Sequence, residues 1–333
     1  MTIDVVRLRV LVALARAGTV TAAARELHYS QPSVSHHLAR LEAETGAKLV
    51  QRVGRGVRLT EAGRLLAERG AEILGRLDAA SDELSAHVGL RAGRVRLAAF
   101  PSALGTFVPA AAQRLAREHP GLDLRLMEAE PPEALRLLRA GEVDVAVVFR
   151  YGGTGPEDDG VRLVHLLDDP SLLVAPGAAA SGLVTLGTAS GSDLAADVAA
   201  YADAPWIAGC ERCRAHLLAL CADAGFEPRV SFTTDDYVAV QAMVAAGLGV
   251  AVLPRLALSA HRHPDVLTRE LPGPARRVHA ATYGEPPDPP ATAALVAALL
   301  RAQLGAGDGA GDGVGPSLSS SVALQTAVPV PGS

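Results

Sequence analysis

Long apolar runs are missing from this 333-residue chain: nowhere do eighteen or more apolar residues follow one another uninterrupted, which removes a membrane-spanning helix from consideration. The N-terminus carries Asp4, Arg7 and Arg9 where a secretion signal needs an apolar core, so the expectation is a soluble, cytoplasmic protein with no membrane partner. Cysteine is scarce as well. The three present, Cys210, Cys213 and Cys221, are odd in number and crowd into one segment, unlike the disulfide framework of a small secreted domain, and they fit a reducing compartment. Nucleophile-elbow, P-loop and metal-protease patterns are absent, and the scattered Ser, His and Asp residues define no triad. The chain is therefore not expected to be an enzyme, and no motif calls for a cofactor or a metal.

What the sequence has in quantity is apolar side chains, 49% of residues, enough for two or more packed cores at this length. Its net charge of −5 is unevenly spread: residues 1–64 carry ten Lys/Arg against five Asp/Glu, the remainder 21 against 31. A basic head on an acidic body suits a nucleic-acid-binding module coupled to something else, because phosphate attraction needs positive charge only locally.

Within the head, residues 5–17 place apolar side chains at helical spacing and stop at Gly18, which tolerates a left-handed helix terminus. Thr19 then caps a short alanine-rich helix, and after the turn at His28 and Tyr29, Ser30 caps a third, with Pro32 in its first turn where the missing N–H costs nothing. In that third helix Val34, Leu38 and Leu41 form an inward stripe. Ser33, His36, Ala39 and Arg40 occupy the other side, a small polar face that can enter a major groove. QRVGRGVRLT follows, with Val53, Val57 and Leu59 alternating about Gly54-Arg55-Gly56 as a basic-tipped hairpin.

Over AARELHYSQPSVSHHLARLEAETGAKLVQRVGRGVRLTEAG, and most clearly in SQPSVS and RGVRLTEAG, the chain resembles the DNA-binding domain of LysR-type transcriptional regulators. The resemblance implies a winged helix-turn-helix over 1–60 that reads double-stranded DNA, an interrupted palindromic operator, with Gln31, Pro32, Ser33, Ser35 and His36 at the start of the recognition helix. Ser30 is read as a cap. Arg40, Arg52, Arg55 and Arg58 are candidate phosphate contacts. At position 36 the chain departs from the family pattern, placing His36 where relatives often carry a permanent cation.

From Thr60 to about Val88 a single helix is expected, with Leu66, Ile73, Leu77, Ala80 and Leu84 on one seam and Gly70 as a gap in it. In the family the corresponding helix (61–90) pairs with its twin, which implies a homodimer or homotetramer. Beyond it, strand-like RVRLAAF, LDLRLME and VDVAVVFR alternate with helical segments, predicting a parallel sheet covered by helices. A second unit runs through SLLVA, WIAG, RVSFT and GVAVLP, and residues 276–304 supply a strand and helix that can return to the first. This order, with AAGLGVAVLP, resembles the LysR effector domain. The fold class is thus α/β: an N-terminal winged helix-turn-helix, a long linker helix, and a two-lobed periplasmic-binding-protein-like effector domain over 91–304. Residues 177–200 fit this pattern poorly, and 305–333 read as a disordered Gly/Ser-rich extension.

In open parallel sheets the ligand crevice lies at the carboxyl ends of the strands. That rule selects Ser102, Arg150, Gly209, Cys210 and Asp235 as effector-binding candidates. The unpaired amides of the helix N-termini among them point to a small carboxylate-bearing effector. The resemblance also allows RNA polymerase as a partner. Cys210-Glu-Arg-Cys213 leaves three readings open: buried small apolar residues, a thiol-based redox-sensing switch, or, with His216 and Cys221, a zinc site. A solute-binding protein with the same two lobes is the remaining alternative function, and it would call for a secretion signal.

Overall fold

The computed structural model describes residues 3–53, 56–87, 93–152, 160–177, 198–284 and 286–304. The wing tip Gly54-Arg55, most of the 177–200 segment and the 305–333 extension lie outside the described residues.

Helices α1 (Val5–Ala17), α2 (Val20–Glu26) and α3 (Gln31–Thr45) form the head. Asp4, Thr19 and Ser30 each accept a backbone N–H at their start, and Gly18 and Gly46 end α1 and α3 in the left-handed conformation. Leu11, Ala23, Val34 and Leu41 are fully buried at its centre. Strands β1 (Val50–Val53) and β2 (Gly56–Leu59) pair antiparallel as the wing. The linker helix α4 (Glu61–His87) packs back on α1. Gly70 is not a gap in a seam but a close approach: a Cβ there would sit 2.7 Å from Leu8 Cδ1, so the missing side chain lets α1 lie against α4.

The larger body holds two five-stranded sheets. The first lobe comprises β3 (Arg94–Ala99), β4 (Asp123–Glu128), β5 (Val145–Arg150), β6 (Val161–Asp169) and β12 (Arg276–Tyr283), in the order β4-β3-β5-β12-β6. It is covered by α5 (Pro101–Leu104), α6 (Phe107–Glu118), α7 (Pro131–Arg139) and α11 (Pro290–Leu304). The second lobe comprises β7 (Ser171–Pro176), β8 (Pro205–Ala208), β9 (Arg229–Thr233), β10 (Val250–Pro254) and β11 (Val266–Glu270), in the order β11-β7-β10-β8-β9, with α8 (Glu211–Asp223), α9 (Tyr237–Ala245) and α10 (Arg255–Ala260). The sheets are mixed, not purely parallel. Residues 276–304 do return to the first lobe, and there β12 runs antiparallel to both β5 and β6, as β7 does to β10 and β11. The chain crosses between lobes twice, at Asp169-Pro170-Ser171 and over 271–275. No described helix is long and apolar enough to cross a membrane.

Candidate functional site

The recognition-helix face is set by the burial of Val34, Leu38 and Leu41, which turns Gln31, Pro32, Ser35, His36 and Arg40 to solvent with Ser33 half-buried. Ser30 is the cap: its hydroxyl accepts the Ser33 N–H at 3.3 Å. The turn before it holds His28 at φ 55°, and Tyr29 stacks on His37 at 5.6 Å, fixing the angle at which α3 leaves α2. Among the cations of the head, Arg64 donates to the Leu59 carbonyl at 3.3 Å, and Arg25 is exposed on α2 rather than on α3 or the wing. Arg7, Arg9, Arg16 and Lys48 pair with Glu44, Asp78, Glu26 and Glu42. Arg40, Arg52 and Arg58 enter no ion pair among the described residues, and all three are exposed on α3 or the wing. Charge left uncompensated on one face is what attraction to phosphates requires. Arg55 lies outside the described residues.

Between the lobes a cavity of about 50 Å³ collects Ser102, Gly209, Cys210 and Asp235 from the ends of β3, β8 and β9. Arg150 is not among its lining residues. Alternation along β5 sends Val145, Val147 and Phe149 to the core beneath α6, and Ala146 and Val148 to the opposite face. Arg150 follows the second set and sits opposite Arg277 in the β5–β12 register.

The cation of the cavity is instead Arg276, at the start of β12 and only 2% exposed. Its guanidinium donates to Asp169 Oδ2 at 2.8 and 2.7 Å and to Ser102 Oγ at 3.1 Å, and lies over the rings of Phe149 (4.2 Å) and Phe100 (5.0 Å). The Ser102 hydroxyl is therefore an Arg276 partner and does not cap its helix. Asp169 also accepts the Leu256 N–H at 3.0 Å, from the second lobe. Because Asp169 and Arg276 each border an interlobe crossing, this pair joins both hinges to the cavity floor.

Glu130, just after β4, lines the same cavity; burial raises its carboxyl above the ordinary range, and its Oε2 has no hydrogen-bond partner. The strand-end rule that selects Ser102 reaches Glu130 equally well. Nothing in the spacing singles out Arg276 or Asp169, whose pairing joins residues 107 apart.

α8 spans the cleft. Arg212 donates to the Phe149 carbonyl of the first lobe at 3.1 Å, and Cys210 and Cys213 pack against the first-lobe core. Cys210 Sγ donates to Cys213 Sγ at 3.1 Å. That hydrogen bond, outweighing burial and aided by Arg276, lowers the Cys213 thiol and raises that of Cys210. Cys221 is buried in the second-lobe core, where desolvation pushes it up to about 11. His216 does not join the thiols: it stacks on Tyr151 at 3.8 Å and meets Ser171 Oγ at 3.3 Å, and burial lowers it to about 4. Among the described residues no cluster of three or more His, Cys, Asp or Glu is placed to hold a metal ion.

Comparison with known proteins matches residues 5–64 to the family described as bacterial regulatory helix-turn-helix protein, lysR family, and residues 89–304 to the LysR substrate binding domain. The chain is 30% identical over 279 residues to the HTH-type transcriptional regulator TfdS of Cupriavidus pinatubonensis, covering 82% of this chain and 89% of the relative. It is 28% identical over 278 residues to the probable HTH-type transcriptional regulator LrrA of Synechococcus elongatus, covering 84% and 90%. The crystal structure of full-length CbnR complexed with its target DNA shares the fold at a TM-score of 0.60 and 24% identity, covering 90% of this chain and 100% of that one.

Proposed function

Because the chain belongs to the LysR family of DNA-binding transcriptional regulators, with an effector-binding domain behind its DNA-binding head, we propose that a small molecule entering the interlobe cavity changes how two or four copies grip an interrupted palindrome. The observation that supports this most directly is the Arg276–Asp169 pair, which ties the cavity floor to both hinges and hands one donor to Ser102. In this reading residues 1–60 bind DNA, 61–90 link and dimerise, and 91–304 sense the effector. The protein works in the cytoplasm by binding and not by catalysis, with RNA polymerase as the machinery it influences. Ile73, Leu77 and Leu84 of α4, 48%, 45% and 65% exposed, form the apolar stripe through which a twin helix would pack.

The lining argues against the carboxylate effector that the helix N-termini suggest. Arg276 is already neutralised by Asp169, while Glu130 and Asp235 face the cavity. A guest carrying hydroxyl or amine donors satisfies those carboxyls, whereas a second carboxylate adds charge to them. At about 50 Å³ the cavity holds only a few waters, so a metabolite enters by opening the lobes about 169–171 and 271–275. Ser102→Ala should leave operator binding without effector unchanged and weaken the effector response. Titrating wild type and variant with the cognate metabolite checks it, and identical curves would remove Ser102 from the site.

Sequencing genomic fragments retained by the purified protein tests the reading as a whole. An interrupted palindrome is expected; unrelated sequences would reject it. On the recovered operator, Arg52→Ala should weaken binding and reduce the slope of log affinity against log salt by about one. An unchanged slope would take Arg52 off the phosphates.

A further inference from the structure

We propose that the cavity between the linker helix α4 and the first lobe binds a phosphate-like oxyanion, free or carried on a small metabolite, and that the bound oxyanion ties the linker to the lobe. This cavity, of about 90 Å³, shares no lining residue with the one between the lobes, and it has room for several waters or one tetrahedral oxyanion. It lies where three chain ends meet: α7 stops at Arg139, β12 stops at Tyr283, and α11 starts at Pro290. α4 contributes Arg76.

A stranded hydroxyl calls for a guest. Thr282 lines the cavity, is 3% exposed, and its Oγ1 has no hydrogen-bond partner among the described residues. A polar group buried in this way is destabilising until something accepts its hydrogen bond. The charges of the wall set the sign of that guest. Each carboxylate there already holds an arginine: Asp144 accepts from the Arg96 guanidinium at 2.7 and 3.1 Å, Asp288 pairs with Arg162, and Glu72 pairs with Arg69 at 3.1 Å. Arg76 makes no ion pair among the described residues, and its guanidinium lies over the Tyr283 ring at 5.3 Å. The 15-residue helix α11 begins beside them. Pro289 and Pro290 have no N–H, so Ala291 and Thr292 carry its first amides without an intrahelical acceptor. Cation, hydroxyl and helix N-terminus come from three different elements. A tetrahedral oxyanion offers acceptors out of one plane to meet them, which a planar carboxylate does not.

Occupancy reaches the DNA-binding end because α4 forms part of the site. The helix already rests on the lobe backbone to backbone: a Cβ on Gly75 would stand 2.5 Å from both the Ala140 carbonyl oxygen and Gly141 Cα. Beside that contact the Tyr283 hydroxyl donates to Glu72 at 3.3 Å. An oxyanion held by Arg76 of α4 and Thr282 of β12 adds charge-assisted hydrogen bonds across the same junction. It therefore favours the docked linker over any arrangement in which α4 leaves the lobe. Because α4 also packs on α1, fixing its place on the lobe fixes that of the head.

The test uses the full chain and inorganic phosphate, exchanged for chloride at constant ionic strength. Calorimetric titration should show one site per chain with a Kd of about 1 mM or tighter. Arg76→Gln and Thr282→Val should each weaken it about tenfold or more. Thr282→Val keeps the side chain's shape and removes the stranded hydroxyl, so its denaturant midpoint should equal or exceed that of the wild type. Hydrogen exchange over residues 69–77 of α4 should slow when phosphate is added to the wild type and stay unchanged in Arg76→Gln. Glycerol phosphate separates the two sources: binding about tenfold tighter than phosphate identifies a phosphorylated metabolite, and equal or weaker binding identifies the free ion. No binding at about 10 mM phosphate, or undiminished binding in either variant, would overturn the site. A lowered midpoint for Thr282→Val would overturn it too, because the hydroxyl would then have a partner already. Binding that leaves α4 exchange unchanged would overturn the tie to the linker. None of these measurements involves DNA or the effector, so a failed operator selection and a failed oxyanion site are told apart.

Discussion

Arg276→Leu is expected to lower the unfolding free energy of the two-lobed unit by about 3–5 kcal/mol, the usual cost of leaving one member of a buried ion pair without its partner. Arg276 and Asp169 are 2% and 1% exposed, so water cannot take over solvation of the carboxylate that remains. The leucine fills much of the space between Phe100 and Phe149 but supplies neither the cation over their rings nor the donor to Ser102. Asp169→Leu should cost a similar amount, since it strands the guanidinium and also releases the Leu256 amide. The double variant separates pair from packing. With both charges gone the desolvation penalty disappears with them, so most of the lost stability should return. Denaturant unfolding of the four proteins measures this as a double-mutant cycle. A single-variant loss below about 1 kcal/mol would mean that the pair is reached by solvent and is no anchor of the hinge.

Why these residues stayed hidden while the fold around them was legible follows from the range of the interactions. The head is written in local chemistry: caps at Thr19 and Ser30, the Gly18 terminus and the 34/38/41 stripe each act within one or two helical turns. The strand-end rule likewise brings Ser102, Gly209, Cys210 and Asp235 to one cavity. It fails for Arg150 because a strand's last residue belongs to one face or the other, and the alternation in VAVVFR, with both faces buried, does not say which. β6 is not legible in the sequence for a related reason: VRLVHLLDD has no clean alternation, and its partner is β12, 107 residues downstream at Arg276↔Asp169. A break at Gly105 and Thr106 separates α5 from α6. There Pro101 starts a separate turn, and the Thr106 hydroxyl donates to the Ser102 carbonyl at 2.6 Å. Thiol proximity was legible as spacing; the Arg276 that sharpens it was not.

Gly63→Ala is the second large effect expected, and it falls on the junction of wing and linker helix. Thr60 caps α4, its hydroxyl accepting the Gly63 N–H at 3.0 Å and donating to the Lys48 carbonyl at 2.7 Å, while its own N–H donates to the Leu49 carbonyl at 3.0 Å. A Cβ on Gly63 would stand 2.0 Å from that Leu49 oxygen. The oxygen cannot retreat cheaply: the Leu49 and Val50 amides are held by Glu42, and the Leu49 side chain is 2% exposed in the head's core. Alanine's better helix propensity returns about 1 kcal/mol, against an overpacking cost of about 3 kcal/mol where backbone must move, so the clash wins. The wing should tilt away from α4, and operator affinity should fall by about tenfold or more while the two lobes unfold at an unchanged midpoint. Gly70→Ala is the control. There the nearest atom, 2.7 Å away, is the far end of the Leu8 side chain, which can rotate, so the loss should be smaller. Operator titration and denaturant unfolding of both variants decide the point, and equal affinities for Gly63→Ala and wild type would show that the wing is not held through Leu49.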